Sequence, residues 1–189
     1  MKATCADPVL AEVRTVWTIG HSTRTISEFQ ELLLTNDIKN LVDVRSYPGS
    51  RRYPHFNQAE LRQALTAVSI EYHHAPKLGG RRKPLPHSKN TAWRNESFRA
   101  YADYMESDDF KKGIADLLAL ARQGPSAIMC AEAVWWHCHR GLVADYLKAN
   151  GAAVIHIVSG THNESHPYTS AARIIDGNLS YAGLLPEEG

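Results

Sequence analysis

Residues 16–45 read VWTIGHSTRTISEFQELLLTNDIKNLVDVR, and a change of period inside this stretch decides the fold. Residues 16–21 (VWTIGH) are short, β-branched and aromatic, as strands are. Thr25 stands three residues before Glu28, a capping box that starts a helix. Ile26, Phe29, Leu32 and Leu33 then recur with helical spacing. Residues 40–45 (NLVDVR) return to a strand pattern, an apolar run broken by one carboxylate.

The alternation continues outward. Asn57 is placed to cap a helix with the core face Leu61, Leu65 and Val68, and residues 70–75 read as a third strand. Helices are expected over 96–106 and 109–123, the second stopped by Gly124-Pro125. Residues 126–132 (SAIMCAE) read as a buried strand and 137–150 as a helix ending at Gly151. Residues 153–160 (AVIHIVSG) read as the last clear strand, with a short hairpin near 174–181 in a turn-rich tail. Strands that alternate with helices imply right-handed βαβ units. The expected fold is therefore α/β: a mainly parallel sheet flanked by helices in a three-layer sandwich. It forms one domain over 1–189, with a core at about 16–166 and an irregular tail at 161–189. Within the core span, residues 76–95 lack any period and form a long basic loop, of a length that is often functional.

Composition sets the class. Hydrophobic residues make up 43% and charged residues 22% of the 189-residue chain, enough for a core without disulfide or metal staples. No apolar run reaches the ~18 residues of a transmembrane helix. Residues 1–14 carry Asp7 and Glu12 and no apolar signal region. Three cysteines, an odd number, fit a reducing compartment, so a cytoplasmic protein is expected.

The net charge of +1 conceals segregation. Residues 75–95 hold six cations (Lys77, Arg81, Arg82, Lys83, Lys89, Arg94) and no carboxylate, and 44–59 hold Arg45, Arg51 and Arg52 without an acid. Such blocks can attract phosphate or nucleic acid, or can be solvated loops balanced by acidic helices elsewhere.

Ligands of open parallel sheets bind beyond the carboxyl ends of the strands. Here those ends read Gly20-His21-Ser22, Asp43-Val44-Arg45 and Cys130-Ala131-Glu132. Parallel neighbours would bring all three sets to one rim. His21, Asp43, Cys130 and Glu132 are the candidate catalytic residues. Asp43 alternatively ties the next loop to its own backbone, His21 serves as a hydrogen-bonding structural residue, and Glu132 pairs with Arg140 or another arginine. The densest cluster is CAEAVWWHCHR at 130–140. Cys138, His139 and Arg140 are expected in the first turn of the following helix, where a thiol is activated and anions are attracted. Both cysteines can equally be small buried fillers. Cys130, Cys138 and His139, with His21 as a further donor, also make a chemically sound set for zinc or iron, although the spacing matches no standard ligand pattern. No GxGxxG, GxxxxGK[ST] or GxSxG is present, so neither a dinucleotide, a P-loop nor a nucleophile-elbow site is expected. The cofactor is left open.

Thr18–Ser22 (TIGHS), Asp43–Arg45 (DVR) followed by Pro48 and Ser50, Leu78–Gly80 (LGG), and CAE at 130–132 with CHR at 138–140 together resemble the domain of unknown function 488 family, over roughly residues 16–166. The resemblance implies an α/β sandwich. It places Gly20, His21, Ser22, Asp43, Arg45, Gly79, Gly80, Cys130, Glu132, Cys138, His139 and Arg140 on motif positions. The molecular activity of the family is not established; loose labels connect some members with DNA repair. The chain departs from the usual polar, proline-containing spacer before CHR, carrying Ala133-Val134-Trp135-Trp136-His137 instead. The two tryptophans can stack on a base, pack under the loop, or meet a second subunit.

Three functions compete. The first is binding or processing of a phosphate-bearing ligand, a nucleotide or nucleic acid, by Ser22, Arg45, Gly79, Gly80, Arg81, Trp136, His139 and Arg140. The second is rhodanese- or phosphatase-like thiol chemistry on Cys130 or Cys138, for which an arginine six residues after the cysteine is missing: Trp136 and Ala144 stand there. The third is a non-catalytic interaction module.

Overall fold

The computed structural model describes residues 15–160 and 162–183. The sequence reading of residues 1–14 therefore lies outside the described residues, as do 161 and 184–189 of the tail.

Strands β1 (Thr15–Gly20), β2 (Asn40–Asp43), β3 (Glu71–His74), β4 (Ser126–Cys130) and β5 (Ala153–Ser159) pair in parallel in the order β3-β2-β4-β1-β5. A sixth strand, β6 (His162–Ser165), adds antiparallel to β5. The tail is thus more ordered than its composition indicated: four polar residues take backbone pairing from an edge that would otherwise be bare. It also carries the expected hairpin, β7 (Arg173–Ile175) and β8 (Asn178–Ser180).

The helices fall on two faces, as the three-layer reading requires. Helices α1 (Ile26–Thr35) and α2 (Gln58–Thr66) bring Phe29, Leu33, Leu61 and Leu65 against Ile19, Leu41, Ala127 and Met129. Helices α3 (Glu96–Tyr104), α4 (Asp108–Gln123) and α5 (Arg140–Ala149) bring Tyr101, Phe110, Leu117 and Leu142 against Val16, Val42 and Ile128 on the other face. Successive strand residues feed opposite cores, which is why these strands read as continuous apolar runs rather than alternating ones.

Local signals account for most boundaries. The Thr25–Glu28 capping box forms in both directions. Asn57 does sit at the N-cap of α2, but its side chain accepts from Ser50 N–H at 2.6 Å and makes no cap bond. Gly124 ends α4 in an extended conformation (φ 173°) rather than a left-handed one. The largest boundary correction concerns α5. A 3₁₀ turn, Trp135–His137, precedes it, and Cys138 N–H closes that turn onto Trp135 O. Cys138 is consequently extended, His139 is the N-cap, and only Arg140 lies in the first helical turn.

The long loop is pinned rather than free. Leu78 is buried as the last residue of a 3₁₀ turn, and Asn90 and Ser88 both donate to Asp103. Arg82 donates to the carbonyls of Gly79, Pro76 and Lys77 and lies 3.5 Å from the Tyr104 ring centroid. Lys77 pairs with Asp109 in the first turn of α4, and Lys89 with Glu106 in the turn between α3 and α4. Much of the basic block is therefore balanced locally.

A buried polar chain ties the tail to the sheet. Thr18 Oγ1 meets His156 Nδ1 at 2.6 Å, His156 Nε2 meets His166 Nδ1 at 2.8 Å, and His166 Nε2 meets Asp145 Oδ1 at 2.9 Å. Asp145 also accepts from Thr169 and from Tyr181. Trp135 stacks flat on His156, at 4.6 Å between ring centroids. This answers for one of the two tryptophans: Trp135 is packing.

Candidate functional site

Connections leave β1 and β4 toward opposite edges of the sheet, so the crevice expected at such a switch lies where these two strands end. Backbone bonds stitch the ends together: His21 N–H to Cys130 O, Ser22 N–H to Ala131 O, and Val44 N–H to Met129 O. A cleft of about 980 Å³ opens there. The convergence expected from sequence is realised for His21, Ser22, Arg45, Cys130 and Glu132, which share its wall with Gly80, Arg81, Cys138 and His139. Asp43, Gly79, Trp136 and Arg140 are not part of that wall.

Arg45 forms the floor. Asp43, fully buried, receives Arg45 Nε at 2.9 and 3.1 Å, Nη2 at 2.6 Å and the Arg45 backbone N–H at 3.0 Å. Tyr72 donates its hydroxyl to the same carboxylate at 2.7 Å, and Arg45 Nη2 also reaches Phe56 O. Although burial opposes it, the hydrogen bond and charge of Asp43 hold the guanidinium pKa above its ordinary value. Asp43 is thus a positioning group that aims a fixed cation, and Nη1 is the end left facing His21 Nε2 at 3.4 Å.

His21 is buried flat against Phe56, with ring centroids 4.2 Å apart. Burial, reinforced by Arg45, lowers its pKa to about 4, so the imidazole is neutral at pH 7. With Nδ1–H donating to Ser22 O at 3.0 Å, Nε2 is left as the acceptor. Ser22 adopts φ 52°, a left-handed conformation uncommon for a residue with a side chain, and one found disproportionately at functional sites.

The glycines of the motifs are close-approach residues. A Cβ on Gly20 would lie 1.8 Å from Glu132 O. One on Gly80 would lie 2.3 Å from His139 Nδ1, and one on Gly79 2.5 Å from Ser46 Oγ. The LGG segment therefore lets the basic loop close onto His139 and the DVR turn.

Arg140 is 2% exposed, and its Nη2 donates to the carbonyls of Glu132 and Ala133 at 2.8 Å each. It clamps the loop after β4. Glu132 thereby meets Arg140 through its backbone, while the residue itself is exposed at the cleft mouth. Trp136 is 50% exposed.

Cys130 and Cys138, both buried free thiols, meet beside His139. Cys138 Sγ lies 3.6 Å from His139 Nδ1. A hydrogen bond from Cys138, helped by His139 and Arg140, pulls the Cys130 thiol well below its ordinary pKa; burial and the bond to Cys130 push Cys138 up.

Sequence reasoning missed part of the wall. Arg52, Arg82, Ser46, Tyr47 and Tyr53 line the cleft. The acid-free blocks around Arg51-Arg52 and Arg81-Arg82 were the only signal for them. Four arginines (Arg45, Arg52, Arg81, Arg82) and one carboxylate, Glu132, face the same space.

Fold and site together define an α/β protein with an arginine-lined, sulfur-bearing cleft at the carboxyl ends of a parallel sheet. The chain belongs to the DUF488 family: the family model, Domain of unknown function DUF488, matches residues 25–147. That match holds the DVR, LGG and CAE…CHR segments, with TIGHS just ahead of it. No curated protein and no solved structure matches the chain. Among the described residues, no helix is long and apolar enough to cross a membrane.

Proposed function

We propose that the cleft binds a phosphate-bearing ligand of nucleotide size, free or as part of a nucleic acid. One observation carries the reading: a buried, carboxylate-aimed Arg45 on the floor of a cleft whose wall holds three further arginines and a single acid. A cation already desolvated and oriented by Asp43 needs little reorganisation to meet an anion. The volume of about 980 Å³ sits at the upper end of the ~300–1,000 Å³ range of small-molecule sites. Tyr47, 73% exposed, and Tyr53 stand at the rim with the Arg81 and Arg52 guanidinium groups each 5.5 Å from the respective ring centroid, so a ring and a cation are presented together to a base and its phosphate. Exposed Arg81 and Arg52 supply phosphate contacts, and Arg140 and Asp43 hold the frame. If chemistry follows binding, proton transfer falls to Glu132, because the Asp43 oxygens are occupied by Arg45 and Tyr72.

The test is a titration of nucleoside mono-, di- and triphosphates, and of a single-stranded oligonucleotide, at low and high salt. Saturable binding that weakens with salt and is lost in an Arg52→Ala/Arg81→Ala double variant supports the reading. Absence of binding at low salt, or binding indifferent to both arginines, rejects it.

A further inference from the structure

We propose that Cys130, Cys138 and His139 form a three-ligand site for a zinc-class divalent cation, with its remaining coordination position open to the cleft. The donor atoms of all three lie within 4.8 Å of one another. A tetrahedral centre with Zn–S of about 2.3 Å and Zn–N of about 2.0–2.1 Å requires a sulfur-to-nitrogen separation of about 3.5 Å. The Cys138 Sγ to His139 Nδ1 distance is 3.6 Å. The geometry is that of donors around a shared centre.

Rigid elements present these donors. Cys130 ends β4, and its carbonyl is tied to His21 N–H at 2.9 Å. The carbonyls of Cys138 and His139 accept from Gly141, Leu142 and Val143 at the start of α5. The His139 ring is boxed between Gly80, which has no Cβ to displace it, and Tyr101, at 5.0 Å between ring centroids. Its Nδ1 faces the Cys138 sulfur, and its buried Nε2 has no hydrogen-bond partner among the described residues, so no contact there turns Nδ1 away from the thiols. Two thiolates and a neutral imidazole balance a dication. The soft donor set excludes magnesium and calcium, which take oxygen ligands. All three residues line the cleft, and a site with three protein ligands is the arrangement in which zinc keeps a position for water or ligand.

The site stands apart from the phosphate reading, because it is tested with metal alone. The reduced, chelator-treated protein is titrated with Co²⁺ and followed by visible and near-ultraviolet absorption, then displaced with Zn²⁺. The expected result is one Co²⁺ per chain, with a sulfur-to-cobalt charge-transfer band and tetrahedral d–d bands that vanish on Zn²⁺ addition. Cys130→Ser, Cys138→Ser and His139→Gln should each weaken binding by more than about a hundredfold, since even residues that only support a ligand cost 10–100-fold. No thiolate charge-transfer band in the reduced wild-type protein overturns the proposal, whether or not the variants fold. So does a band that survives in folded Cys130→Ser or His139→Gln, or a Cys130–Cys138 disulfide that persists under reductant.

Discussion

The Asp43 carboxylate grips the Arg45 guanidinium from two residues away, with Nε reaching both oxygens at 2.9 and 3.1 Å and Nη2 at 2.6 Å. Arg45 stands two residues past the end of β2, where its own backbone N–H also bonds the Asp43 carboxylate at 3.0 Å and keeps the pair within reach. Neither is solvated, so neither tolerates the loss of the other. Asp43→Asn, which leaves a buried cation without its counter-charge, should lower unfolding free energy by about 3–5 kcal/mol. Urea denaturation checks this, and a loss under 1 kcal/mol would show that the pair is not what holds the floor.

Gly20 carries the tightest approach in the site, since a methyl there would meet Glu132 O at 1.8 Å. Gly20→Ala should destabilise by about 1–3 kcal/mol or more through overpacking of backbone against backbone. Gly49→Ala, where a Cβ meets nothing within 4 Å, should stay within about ±0.5 kcal/mol. Equal melting temperatures for the two variants would contradict the account.

His156 links stability to pH. Burial first, then the neighbouring His166 and Arg140, lower its pKa from 6.5 to about 3. The unfolded chain therefore takes up a proton below pH 6.5 that the native fold refuses until about pH 3. Its contribution to stability is complete above pH 6.5 and falls by about 1.4 kcal/mol per pH unit below that, levelling near pH 3. His156→Gln should flatten the plot of unfolding free energy against pH by close to one proton between pH 6 and 4. Superimposable slopes for wild type and variant would be the contrary result.

Arg81 separates ligand contact from architecture. Its guanidinium lies 5.5 Å from the Tyr47 ring centroid and the residue is exposed, whereas Arg82 braces three loop carbonyls. Arg81→Ala should leave the melting temperature unchanged while lowering the salt slope of oligonucleotide binding by about one. Arg82→Ala should lower both the melting temperature and the affinity. Reversed behaviour of the two variants would refute this division.

Much of this protein is written locally. The β-branched run at β1, the short apolar runs at β2 and β4, the Thr25–Glu28 box and the 3.6-residue spacing of Phe29, Leu32 and Leu33 establish a strand–helix alternation by near-neighbour energetics alone. With the rule that ligands gather at carboxyl ends, that alternation located His21, Arg45 and Cys130. Tertiary structure decided which of the remaining polar residues face the cleft. Placing β4 between β1 and β2 depends on backbone pairing across 110 residues of chain to β1 (Trp17↔Ala127) and 86 to β2 (Asn40↔Ser126), and no local period encodes it. The same holds for the meeting of Cys130 with Cys138 and His139, for Arg140 turning inward to two carbonyls, and for the polar β6 gaining strand geometry only from its neighbour. Periodicity reports which face of an element is apolar; what a buried charge or an edge backbone pairs with is settled by the chain that happens to lie beside it.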